Sequence, residues 1–158
     1  MKNWIACGVV LSLSVFAAAA DRAKGPAAGA KDQEAIQGAW QSVAEEMRGG
    51  PAPGDPRDHR MVFEGNTFRL VNVDGDRVML RGTFKLDPTK PPRVMELVVS
   101  EGAGENREAA VHGIYELKGD ELVWCSGEPG GAGRPEKFDT RGTTNVMIRM
   151  KRAAGGTQ

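Results

Sequence analysis

Short apolar and polar runs alternate along most of the chain, and glycine, asparagine, aspartate or proline interrupts them about every ten residues. The pattern holds from Gly38 to Arg152. Runs of this length with period-two alternation are typical of β-strands, and the interrupting residues are typical of tight turns. The pattern therefore predicts an all-β, antiparallel domain.

Eight or nine strands, joined mostly by short turns, are predicted from this alternation. They span Trp40–Met47, Arg60–Glu64, Thr67–Val73, Arg77–Leu86, Val94–Ser100, Ala109–Leu117, Glu121–Cys125, Glu136–Thr140 and Thr144–Lys151. Alternation is strict in Arg77–Leu86, as in a half-buried strand, whereas in the first strand Val43 departs from the parity of Trp40. Only Lys31–Gln37 is expected to form a helix.

A meander of this many consecutive strands can remove its exposed edges by closing into a barrel. We therefore predict a small antiparallel up-and-down β-barrel of about eight strands, with a lipocalin-like architecture. The interior of such a barrel is filled by side chains or holds one small ligand. A two-sheet sandwich is the competing architecture, but its Greek-key crossings need longer connections than most of those in this chain.

The first 20 residues have the parts of a secretory signal peptide: Lys2, an apolar stretch from Ile5 to Phe16, and the small residues Ala18–Ala20 before Asp21. Cleavage after Ala20 is expected to leave a flexible linker over 21–35, a barrel domain over 36–152 and a disordered tail over 153–158. The apolar stretch is too short for a membrane anchor, so no stable membrane insertion is expected after cleavage. The protein is expected to be exported, either periplasmic or secreted.

The two cysteines differ in their expected fates. Most of the apolar stretch follows Cys7, whereas in lipoproteins it precedes the lipidated cysteine, so lipid attachment is not expected. Cleavage leaves Cys125 alone, so an intramolecular disulfide is excluded. Cys125 is expected to be a small buried apolar residue; a reactive or dimer-forming thiol is the alternative.

The 21 basic and 21 acidic residues give a formal net charge of zero and are interspersed along the chain. This distribution gives no indication of nucleic acid or an anionic lipid surface as a partner, and the sequence identifies no protein partner. The Gly49–Asp58 segment is rich in proline and glycine and is expected to be a loop of undetermined role.

Chemical motifs are absent from the linear sequence. His59 and His112 lie far apart and lack partners at metal-ligand spacing, so no metal site is predicted; His59 is expected to be solvated and His112 to lie within a strand. The acidic stretch around Gly75 lacks carboxylates at the first and last positions of an EF-hand loop. No nucleophile elbow or dinucleotide fingerprint is present. We predict no catalytic residue and no cofactor.

The segment Gly38-Ala39-Trp40 resembles the first-strand motif of lipocalins and related barrels. In that superfamily the tryptophan closes one end of the barrel and packs under a basic residue from the last strand. The resemblance implies a barrel closure by Gly38, Trp40 and Arg152, because the parity of the last strand brings Arg152 to the inner face. Arg149 is the second candidate for the basic residue.

A second resemblance covers residues 36–152 and is carried by three further segments together with Gly38, Trp40 and Cys125. These segments read GTFKLDPTK over 82–90, GIYELKGD over 113–120 and RPEKF over 134–138. Together they resemble an uncharacterised domain family that is abundant in exported proteins of planctomycete bacteria. That family has no established function, so the resemblance implies membership and no activity.

Most of the aromatic residues share the predicted inner face. Their simplest role is to build the core, and the alternative is that Phe84, Tyr115 and Trp124 line a cavity for one small apolar or amphipathic ligand. A packed-barrel structural or protein-interaction domain of the cell envelope is the second function class. An enzyme is the third, and it would need polar groups that converge only in space. The sequence favours the first two classes.

Overall fold

A computed structural model gives the fold and describes residues 25–75, 77–102 and 108–154. The helix is α1 (Gly25–Ala35), and the strands are β1 (Gly38–Met47), β2 (Gly50–Pro51), β3 (His59–Glu64), β4 (Thr67–Asn72), β5 (Arg77–Asp87), β6 (Arg93–Gly102), β7 (Ala110–Lys118), β8 (Glu121–Ser126) and β9 (Val146–Arg152). The predicted signal peptide and residues 155–158 of the predicted tail lie outside the described residues.

Eight of these strands form a closed antiparallel barrel. The order is β1-β3-β4-β5-β6-β7-β8-β9, and β9 pairs back with β1 from Trp40↔Arg152 to Met47↔Val146. The short β2 pairs only with the end of β1 and lies outside the ring. The prediction of an all-β antiparallel barrel is confirmed, and the two-sheet sandwich is excluded.

The barrel has two unlike ends. We call the end at which β1 begins and β9 finishes the closed end, and the opposite end the open end. Inner-face side chains from every strand of the ring form one apolar core that begins at the closed end. Its buried members are Ile36, Trp40, Met61, Phe63, Phe68, Phe84, Met95, Leu97, Val99, Val111, Tyr115, Leu117, Leu122, Trp124 and Met150. Alternation along the strands, interrupted by register shifts in the β1–β9, β4–β5 and β5–β6 pairs, places these side chains inside.

Helix α1 covers the closed end. The prediction of a flexible linker over 21–35 is therefore wrong for Gly25–Ala35, which forms a helix. The helix predicted over Lys31–Gln37 was placed too far along the chain. The helix has little amphipathic character of its own, and its last turns are held by the barrel. Gln33 Nε2 donates to the Gly65 carbonyl, and Ile36, just beyond the helix, is fully buried. Contacts with the barrel, rather than the composition of the segment itself, therefore stabilise this helix.

The connection between β8 and β9, residues 127–145, folds back over the outer wall of the barrel. There Ile114, Cys125 and Met147 form a second, smaller buried cluster, and Phe138 packs against it. The predicted strand over Glu136–Thr140 is wrong: this segment lies outside the sheet in irregular structure, where the Asp139 N–H donates to the Lys137 carbonyl and the Thr140 carbonyl accepts from the Thr143 N–H. A short segment with one large apolar residue resembles a strand in sequence, although here that residue anchors a loop.

The Gly49–Asp58 segment is mostly a loop at the open end, as expected, and contains the two residues of β2 and a short 3-10 helix, Pro56–Asp58. Asp55 caps this helix by accepting a hydrogen bond from the Arg57 backbone. The Gly49 backbone donates to Thr140 Oγ1 at 2.9 Å, which joins this loop to the β8–β9 connection. Over the described ranges, no helix is both long and apolar enough to cross a membrane.

Candidate functional site

The closed end is sealed by Trp40 and Arg152. Trp40 is fully buried, and its indole N–H donates to the Ile36 carbonyl at 2.7 Å. The guanidinium carbon of Arg152 lies 4.3 Å from the centroid of the Trp40 ring. The same guanidinium donates to the carbonyls of Ala35 and Gln37 at 2.7 and 2.8 Å. Arg152 thereby joins the last strand to the chain that enters the first.

The other two residues considered for this closure take different places. Gly38 has a φ of 101°, in the left-handed region, which explains why glycine begins β1. Arg149 lies opposite Ala44 on the outer wall and is exposed to solvent. Of the two candidate basic residues, Arg152 is therefore the one that contacts Trp40.

A polar cluster of Asp32, Arg93 and Tyr115 lies beneath α1. Arg93 Nη1 is 2.8 Å from Asp32 Oδ2, and the Tyr115 hydroxyl donates to the same oxygen. Burial, reinforced by this hydrogen bond to a carboxylate, raises the pKa of Tyr115 well above its usual value. The Arg93 guanidinium and the Tyr115 hydroxyl thus both bind the Asp32 carboxylate. This cluster links α1 to the barrel.

The three aromatic residues proposed to bind a ligand lie in one core, with Tyr115 and Trp124 paired across β7 and β8, but their polar groups have different surroundings. Phe84 is buried and makes an edge-to-face contact with Phe63, with ring centroids 4.9 Å apart. Tyr115 is buried and held by Asp32. Trp124 is the exception, because its indole N–H is buried and finds no hydrogen-bond acceptor within the described part of the chain.

Trp124 lies directly against the backbone of β7. A side-chain carbon built on Gly113 would lie 2.4 Å from the indole nitrogen, so glycine is required for this approach. Gly113 pairs with Ser126, which is also buried. The unpaired N–H of Trp124 is therefore held inside the lumen beside a position with no side chain, on the open-end side of the core.

Apolar side chains continue the inner wall from Trp124 to the open end. Leu70, Leu80 and Ile148 are only partly buried, and all three pack against the main core. Leu70 pairs with Leu80 across β4 and β5, and Ile148 pairs with Trp124 across β9 and β8. We call Leu70, Leu80, Gly113, Trp124 and Ile148 the open-end site.

An ionisable pair borders this site. A bulge between Ser42 and Ala44 shifts the register of β1, so that Glu45 lies opposite Ile148. Directly opposed residues of antiparallel strands project to the same face, which places Glu45 on the inner face. His59 Nδ1 lies 2.9 Å from Glu45 Oε1, and the two side chains are 29% and 16% exposed.

His59 was expected to be solvated, and the sequence analysis missed its pairing with Glu45. The departure of Val43 from strand parity was the available signal, because a bulge at that point reverses the faces of all later residues in β1. His112 lies mid-strand as predicted and has a similar partner on the outer wall, where its Nδ1 is 3.5 Å from Glu96 Oε1.

Two clefts lie outside the lumen. The first, about 370 Å³, lies next to β2 and is lined by outer-wall residues such as Glu46 and Arg149. The second, about 420 Å³, lies within the β8–β9 connection and includes Asp139. Hydrogen bonds from Arg141 hold the pKa of Asp139 below its usual value. The second cleft is built from loop residues, whereas the first is lined mainly by strand residues, Glu45 among them.

The remaining candidates from the sequence are the Cys125 thiol and a metal site. Cys125 is fully buried, as expected from the sequence, and burial raises the pKa of its thiol. Among residues 25–75, 77–102 and 108–154, no group of three or more histidine, cysteine, aspartate or glutamate side chains is arranged to hold a metal ion. Among the described residues, the open-end site combines a buried donor without an acceptor and partly exposed apolar side chains.

Comparison with known proteins gives no further guide to the class of the domain. No protein-family model, no curated protein and no solved structure matches the chain.

Proposed function

We propose that this domain binds one small apolar or amphipathic molecule at the open end of its barrel, without changing it chemically. The buried, unpaired indole N–H of Trp124 is the observation that carries the proposal. Leaving a buried donor without an acceptor costs about 1–3 kcal/mol. A ligand that supplies an acceptor at this position would recover that free energy.

The surrounding wall supports an apolar ligand body. Leu70, Leu80 and Ile148 extend the core towards solvent and offer partly exposed apolar surface, and Ile148 is paired with Trp124. Burying such surface contributes about 25 cal/mol per Å². Phe84 and Tyr115 belong to the filled part of the core, so the proposed ligand occupies the mouth of the barrel and is limited to a small size.

The proposed place of action is outside the cytoplasm, either in the periplasm or in the surrounding medium. This part of the proposal depends on the signal peptide predicted for residues 1–20. A carrier or sensor of small molecules needs no cofactor, in keeping with the lack of a catalytic motif in the sequence.

The experiment uses two probes of nearly equal shape. The carbonyl of 2-acetylnaphthalene can accept a hydrogen bond, whereas 2-ethylnaphthalene has no acceptor. Titration is followed by tryptophan emission and by the melting temperature, which must rise when a ligand binds only the folded state. We expect the acetyl compound to bind several-fold more tightly, because only it can pair with the Trp124 N–H.

The variant Trp124→Phe provides the control, because it keeps an aromatic ring and removes the donor. We expect both probes to bind this variant equally, with the melting temperature as readout. If neither probe changes emission or the melting temperature of the unmodified protein, the proposal is wrong.

A packed-barrel structural or protein-interaction domain of the cell envelope is the second candidate. It is favoured by the continuity of the inner core from Ile36 to Trp124, which fills the lumen with the protein's own side chains. The same titration separates the candidates, since a barrel of this second kind binds neither probe.

A further inference from the structure

We infer that the molecule bound at the open-end site carries a protonated amine, which Glu45 receives. The inference rests on the proposed function and adds the chemical class of the ligand. Its basis is the placement of a carboxylate on the inner face, opposite Ile148 and in the same cross-strand row as Trp124 with its buried donor.

Charges are unevenly distributed along the inner face. Arg93 and Arg152 lie at the closed end, where the carboxylates of Asp32 and Asp120 neutralise them at 2.8 and 3.0 Å. Glu45 lies towards the open end, in the same cross-strand row as Ile148 and Trp124. Arg77 lies opposite Asn72 at the rim of the same end and is exposed to solvent, whereas Glu45 is largely buried, so a ligand seated against Ile148 and Trp124 meets a carboxylate.

The local geometry leaves one oxygen of Glu45 available. Its Oε1 is engaged by His59 Nδ1, and within the described ranges no second side chain forms an ion pair or hydrogen bond with this carboxylate. When the imidazole of His59 is neutral, the pair has one net negative charge. A partly buried carboxylate is stabilised by a cation that also donates hydrogen bonds, as an ammonium group does.

The three parts of the site fit one class of ligand. An ammonium group would pair with Glu45, an apolar body would cover Leu70 and Ile148, and a polar acceptor on that body would meet the Trp124 N–H. A carboxylic acid of similar shape would be repelled by Glu45. Small amines with an apolar body and a polar acceptor are thus favoured over fatty acids and over neutral alcohols.

The test compares three probes with one ring system at pH 8: 2-naphthaleneethylamine, 2-naphthaleneethanol and 2-naphthaleneacetic acid. Binding is followed by tryptophan emission and by the melting temperature. We expect the amine to bind about tenfold more tightly than the alcohol, and the acid to bind most weakly, as for a charge pair in a partly desolvated site. Added salt should reduce the preference for the amine.

Two matched variants test the role of Glu45. Glu45→Gln keeps an oxygen that can accept from His59 and removes the charge, so the amine and the alcohol should bind it equally. Glu96→Gln removes the carboxylate of the other histidine–glutamate pair, which lies on the outer wall, and should retain the preference for the amine. Melting temperatures of the free variants establish that both are folded.

The outcomes separate the inference from the proposed function. If the alcohol binds as tightly as the amine, or if Glu45→Gln keeps the preference, the inference is wrong while ligand binding itself stands. If none of the three probes binds, the inference is wrong; the proposed function is also wrong only if 2-acetylnaphthalene and 2-ethylnaphthalene likewise leave emission and the melting temperature unchanged. If Glu45→Gln does not fold, the affinities of the three probes for the unmodified protein, and the effect of salt on them, still test the inference.

Discussion

Arg152 places its guanidinium carbon 4.3 Å from the centroid of the Trp40 ring and thereby covers the first strand of the barrel with a residue of the last. A cation over an indole face contributes about 0.5–2 kcal/mol, depending on how far it is desolvated. Here the same guanidinium also satisfies the carbonyls of Ala35 and Gln37. The contact therefore covers the end of the core and links the last strand of the domain to the segment before the first strand.

Replacing Trp40 by alanine should lower the free energy of unfolding by about 3–5 kcal/mol, because the change empties a fully buried aromatic site. Urea denaturation followed by circular dichroism measures the loss. Trp40→Phe, which retains an aromatic ring, should cost less. An unchanged denaturation midpoint for Trp40→Ala would contradict the role of this residue in the core.

Replacing Arg152 by methionine should cost about 2–4 kcal/mol, because two backbone carbonyls lose a charged donor and the Trp40 ring loses its cation. The matched control is Arg149→Met on the same strand, whose side chain is exposed on the outer wall. That change should alter stability by about 0.5 kcal/mol or less. Equal losses in the two variants would refute a specific role for Arg152.

Tyr115 should give the protein a distinctive loss of stability in alkali. Since burial raises the pKa of its phenol above the usual 10.0, only the unfolded chain ionises it just above pH 10. The stabilisation is complete below that pH and falls as pH rises, by at most about 1.4 kcal/mol per pH unit. Stability curves of the unmodified protein and Tyr115→Phe should therefore converge as pH rises above 10.

Tyr115 is the only tyrosine in the chain, so its ionisation can be followed directly by tyrosinate absorbance. We expect this absorbance to appear in the folded protein well above pH 10, and near pH 10 in urea. Ionisation of the folded protein at the usual value would show that the phenol is not held as described.

Replacing Gly113 by alanine should displace the Trp124 indole, because the added carbon would lie 2.4 Å from its nitrogen and 2.8 Å from the Cys125 carbonyl. Overpacking of this kind costs about 1–3 kcal/mol. Thermal unfolding measures the cost, and tryptophan emission reports the movement. Gly119→Ala is a poor control since its φ is positive, whereas Gly133→Ala, with open space around it, should be nearly neutral.

The strand pattern predicted the barrel because alternation and closure both follow from simple rules. Phe84, Tyr115 and Trp124 all lie on the inner face, as their parity indicated. The sequence pattern did not predict the elements whose structure depends on tertiary contacts. Composition alone could not show that α1 is held over the closed end, or that Phe138 anchors a loop to the outer wall.

The open-end site was only partly predictable for a related reason. Trp124 was identified from its parity, but whether its N–H finds an acceptor depends on the three-dimensional packing at Gly113. Glu45 was missed because one extra residue in β1 reverses its face. Bulges of this kind leave only a faint trace in sequence, here the misplaced Val43.

The pairing of β1 with β9 has a consequence for biogenesis. These strands come from opposite ends of the domain, so the ring cannot close until the last strand has been synthesised. Until then β1 and β8 present unpaired edges, and Trp40 lacks its cover. Long-range pairing of this sort folds slowly and leaves partly folded chains prone to aggregation. Chains truncated before β9 should therefore be substrates for chaperones or proteases.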